Sequence, residues 1–144
     1  MPAVIGLVLA LAVSAYARAT RLDRDRALYP VVLVVIASYY VLFAVMGGSA
    51  RAVVVESLVA GGFVVAASVG FRRSLWLVAA ALGAHGVLDL VHARVIANPG
   101  VPAWWPGFCL AYDLAAAAVL TGLLLRRTSA PAARAGSTRA ERPS

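Results

Sequence analysis

Five apolar stretches, at residues 3–17, 29–46, 52–71, 74–93 and 108–125, take up most of this chain, and short connections between and after them hold nearly all of its charge. No other feature constrains the fold as much. A helix crosses the hydrocarbon core of a bilayer with about 20 apolar residues. The last four runs come close to that length, and the first can span with local thinning or an interfacial flank. Of the 144 residues, 62% are hydrophobic and only 13% are charged. A soluble domain of this size could not bury so much apolar surface. In lipid, each segment must satisfy its backbone internally, which selects helices. The expected fold class is therefore all-α, a polytopic transmembrane helix bundle with five spans over residues 1–127.

A four-span alternative treats the first run as a secretory signal, because "SAYARA" offers a small-residue cleavage pattern. The arginines argue for keeping it. Arg18, Arg21, Arg24 and Arg26 follow the first run, Arg72 and Arg73 follow the third, and Arg126, Arg127, Arg134, Arg139 and Arg142 follow the fifth. Only Arg51 and Arg94 lie in the other two connections. By the positive-inside rule the crowded side is cytoplasmic, so the N-terminus is expected outside and the C-terminus in the cytoplasm of a multi-pass inner (plasma) membrane protein. The net charge of +7 rests on thirteen arginines and no lysine, and most of the arginines sit beside apolar runs. Membrane lipid is thus the expected partner, nucleic acid is not, and a homo-oligomer is an open option. Residues 128–144, rich in Ala, Ser, Pro and Arg, are expected to form a disordered cytoplasmic tail. In the fourth connection, "NPGVPAWWPG", Asn98-Pro99-Gly100 stops a helix and Trp104-Trp105 fits an interfacial anchor.

Ionisable groups inside the spans are the candidates for function. His85, Asp89 and His92 lie within about 60° of one another on a helix and share a face. Glu56 and Asp113 lie within the third and fifth runs, and Cys109 sits one turn before Asp113. From the rise per residue, Asp89 is about 7 Å and His85 about 13 Å inward from Arg94. Glu56 is about 7 Å inward from Arg51, and Asp113 about 10 Å inward from Pro106. Tyr39 and Tyr40 lie about 10 Å inward from Gly47. All these groups therefore fall in the outer half of the bilayer, and an outward-facing polar pocket lined by His85, Asp89, His92 and Asp113 is expected. Glu56, Tyr39, Tyr40, Cys109 and Tyr112 are its expected neighbours.

Three chemistries fit such a set. Asp89-Leu-Val-His92 has the carboxylate-x-x-His spacing of metal sites in helical bundles. Imidazole with carboxylate suits a divalent metal such as Zn, Fe or Mn. His85 and His92 stand about 10 Å apart along the axis, so one ion takes part of the stripe, completed by Asp113 or Glu56 across helices. Proton or ion relay in a transport component is the second chemistry, and hydrogen bonds gluing helices in an assembly protein the third. Catalysis is the weaker expectation; it would take the form of a metal-dependent, hydrolase-like activity within the membrane. Haem has little support from two histidines on one helix, and Cys109 has no base clearly in reach.

Residues 85–120 also resemble a family of small bacterial integral membrane proteins known only as a domain of unknown function. His85, Asp89 and His92, then Asn98-Pro99, a proline-rich loop, Cys109 and Asp113 carry the resemblance. Members often have a second His directly after the last one, where this chain has Ala93. The resemblance implies a polytopic membrane protein and assigns no activity.

Overall fold

A computed structural model describes residues 1–24 and 26–140, with side chains through Thr128. It holds five α-helices: α1 (Pro2–Ala19), α2 (Leu28–Met46), α3 (Ala50–Arg72), α4 (Leu75–Val95) and α5 (Trp105–Ala140). A 3-10 turn at Leu22–Arg24 joins the first two, and the described residues contain no strand. All five helices are long and apolar enough to cross a membrane, α5 over Trp105–Thr128. Their outward faces are apolar too: Ile5 and Val8 on α1, Val31 on α2, Leu58 on α3 and Leu90 on α4 are all exposed. Such a surface suits lipid as solvent, and these are the features of a polytopic helical membrane protein.

The helices run one to three residues beyond the apolar runs at most ends, because polar residues are tolerated where a span meets water. Helix α5 starts at Trp105 rather than 108, and Pro106 fits there because a first-turn proline gives up an N–H that has no partner anyway. The two tryptophans of the pair face different ways. Trp104 is exposed, whereas Trp105 turns inward, 9% exposed, with its ring 4.9 Å from both Tyr39 and Phe43. Of the expected tail, 128–144, only the backbone through Ala140 and the Thr128 side chain are described, that backbone being helical; residues 141–144 lie outside the described ones.

Helix α4 is central, packed between α3 and α5 and touched by α2; α1 leans on the outside of α5. Two sets of loop contacts show which ends lie together. Arg26 Nε donates to the carbonyl of Phe71 at 3.1 Å, and Arg127 Nη2 donates to the carbonyl of Asp23 at 3.1 Å. At the opposite end the α2–α3 turn meets the α4–α5 connection. Gly48 there has φ +66, a left-handed conformation that favours glycine, and Ser49 caps α3 by accepting from Ala52 N at 3.2 Å. Gly100 packs on the end of α2 so closely that a Cβ would overlap the Phe43 carbonyl. Two arginines, Arg51 and Arg94, serve this second end.

Candidate intramembrane metal centre

His85, Asp89 and His92 recur on one face of α4, and all three are buried. So are Glu56 on α3 and Asp113 on α5, at 1% and 0% exposure. The apolar residues around them fill the rest of the core, which is why these groups meet each other rather than water.

The stripe divides into two groups because α5 brings Asp113 to the level of His85 and α3 brings Glu56 to the level of His92. Toward α5, His85 Nδ1 lies 2.7 Å from Asp113 Oδ2 and 3.7 Å from Asp89 Oδ2. Cys109 Sγ donates to the same Asp113 oxygen at 3.8 Å. One ligand atom from each of His85, Asp89, Cys109 and Asp113 can be chosen so that all four lie within 4.8 Å of one another. Toward α3, His92 Nε2 lies 2.8 Å from Glu56 Oε1. Asn98 Nδ2 donates to that same oxygen at 2.8 Å and to the Tyr40 carbonyl at 3.0 Å.

Tyr40 joins the two groups. Its hydroxyl donates to Asp89 Oδ1 at 2.6 Å, while its ring stacks on His92 with centroids 4.1 Å apart. Phe63 closes the α3 side against His85, edge to face at 4.8 Å. Tyr39 goes elsewhere. It is 38% exposed, packs on Phe43 and Trp105, and lines an apolar groove between α1, α2 and α5. Tyr112 lines that groove as well, and Cys109 forms part of it from the inside.

Two carboxylate oxygens in the first group, Asp89 Oδ2 and Asp113 Oδ1, are buried without a hydrogen-bond partner among the described residues. That is costly in an apolar interior, where buried polar atoms are nearly always paired. Two carboxylates beside one imidazole also concentrate negative charge there, which a bound dication would offset. Asn98 is the residue that spacing did not reveal. It sits in a turn motif, and its side chain ties the α4–α5 connection to both α2 and α3. Along the chain Asn98 signals a turn and stands in the pattern that carries the family resemblance, and neither assigns its side chain these partners.

The chain was compared with family models, curated proteins and solved structures, and none matches it.

Proposed function

We propose that this protein binds a divalent metal within the membrane through His85, Asp89, Cys109 and Asp113. The observation that supports this most is the pair of unpartnered, fully buried carboxylate oxygens inside a four-donor cluster. Binding would place a cation against both and release two protons to solvent, the one that holds His85 to Asp113 and the one on the Cys109 thiol. A thiolate in the set favours Zn²⁺ or Fe²⁺ over Mn²⁺. Four protein donors fill a tetrahedral shell, the arrangement of structural or holding sites; a hydrolase-like reaction would need one donor to give way to water.

Titration of the purified protein with Co²⁺ tests this reading. One equivalent should bind, with a thiolate-to-cobalt charge-transfer band in the near ultraviolet that Cys109→Ser abolishes. Sub-stoichiometric uptake by the wild type would rule the metal centre out. A second reading, helix glue in a transport or assembly component, is favoured by a specific observation. Every side-chain pair in the two groups except His85–Asp89 and Cys109–Asp113 links different helices or the α4–α5 connection.

The arginine distribution supports a cytoplasmic C-terminus and an outside N-terminus in a bacterial plasma membrane, the setting that the family resemblance also implies. The Gly48 and Gly100 end, with its two arginines, is then the outer one. A reporter fused after Arg127 should read cytoplasmic; a periplasmic signal would invert the orientation.

A further inference from the structure

A site sealed inside a helix bundle needs a route by which its cation arrives. Two openings approach the cluster. One is the groove of about 320 Å³ that includes Cys109 among its lining residues; Val31, Val35, Tyr39 and Trp105 make it mostly apolar, and it faces lipid. A hydrated dication does not cross such a surface, because losing its water without replacement ligands is prohibitive.

The other is a cavity of about 720 Å³ beneath the α4–α5 connection, lined by Ser49, His92, Ala93, Asn98, Pro102 and Pro106 among others. It lies at the end of the bundle with Arg51 and Arg94, away from the end where Arg26, Arg72, Arg73 and Arg127 gather, so a cation meets less repulsion there. His92 and Asn98 form its polar wall, and both hold Glu56 Oε1 behind them. Behind His92 in turn stands the Tyr40 ring, whose hydroxyl rests on Asp89. A continuous run of polar side chains thus connects this cavity to the cluster, and among the described residues no comparable run leads from the groove.

Resting on the metal reading above, we propose that the cation reaches His85, Asp89, Cys109 and Asp113 through the cavity under the α4–α5 connection, with Glu56 the first carboxylate it meets. Asn98 acts as a latch: its amide ties the connection to α2 and α3, and releasing it uncovers Glu56. Glu56 attracts the cation and passes it inward past Tyr40 to Asp89. It is not a ligand in the final site.

Stopped-flow mixing of metal-free protein in nanodiscs with Co²⁺, followed at the thiolate charge-transfer band, tests the route. Glu56→Gln keeps an acceptor oxygen for Asn98 and should load about tenfold more slowly, reaching the same final occupancy. Ala93→Trp, which fills the cavity from its rim without touching Glu56, should also slow loading. Val35→Trp, in the lipid-facing groove, should load at the wild-type rate. Wild-type rates in both Glu56→Gln and Ala93→Trp, with normal occupancy, would overturn the route and leave the metal centre standing. Slowing in Val35→Trp alone would also overturn it. No cobalt signal in the wild type would overturn the centre itself, and the route with it.

Discussion

Asp113→Asn and His85→Ala should each purify with less than about a tenth of the wild-type metal, whereas His92→Gln should keep nearly all of it. The first two remove donors from the four-residue cluster. Asp113→Asn is the sharper test, because it keeps the side chain's shape and changes only its charge and donor strength. Losing even an outer partner of a metal ligand typically weakens affinity 10- to 100-fold, and losing a ligand should weaken it by more than about a hundredfold. His92 has the same residue type and helix face as His85, yet its Nε2 is engaged with Glu56, in the other group. Elemental analysis of the three variants, purified together with the wild type, decides the matter. If His92→Gln loses metal as completely as His85→Ala, the division into two groups has no bearing on binding.

Glu56→Ala should lower unfolding stability by about 3 kcal/mol, the scale of breaking a buried ion-paired network by removing one partner. The reason lies in what is left behind. His92 Nε2 and Asn98 Nδ2 both use Glu56 Oε1, so truncation leaves a buried ring nitrogen without its partner and the amide with only the Tyr40 carbonyl. A lipid-facing control, Leu58→Ala, removes more carbon but opens no interior cavity, since Leu58 is 73% exposed. It should cost well under about 1 kcal/mol. Denaturation in mixed micelles of rising SDS fraction measures both, with Glu56→Gln expected to recover at least half of the loss through its remaining carbonyl oxygen. Equal stability of Glu56→Ala and Leu58→Ala would show that the His92–Glu56–Asn98 group does not hold α3 to α4. Membrane unfolded states also find partners for polar groups, which lowers such values, so a loss near 1 kcal/mol would indicate a weaker tie.

Much of the site was legible along the chain, though only in one dimension. The α4 spacing put His85, Asp89 and His92 on one face, and distances from the helix ends put Glu56, Tyr40 and Asp113 at matching depth. The structure brings each of these against the α4 stripe. Periodicity could not say which neighbour each would meet. His85 and His92 differ by seven residues, or nearly two turns, so they share a face but stand about 10 Å apart. At that separation the carboxylates that face them differ, with Asp113 of α5 beside His85 and Glu56 of α3 beside His92, although Phe63 of α3 also packs on His85. Tyr39 and Tyr40 show the same limit. Adjacent residues point about 100° apart, so only one could face α4, and nothing in their shared chemistry said which.

The sequence by itself determined the solvent. Five long apolar runs, with arginine confined to the connections, require lipid around the chain and helices within it, because hydrocarbon offers the backbone no partner. It also determined that a few ionisable groups would be buried, since their neighbours in the chain leave them no water. Tertiary structure alone decided how those groups are shared out. Helix packing and the path of the α4–α5 connection set distances of 2.6 to 3.0 Å between residues up to 58 positions apart. A hydrogen bond or a metal shell depends on those lengths and directions, and they arise only when helices pack.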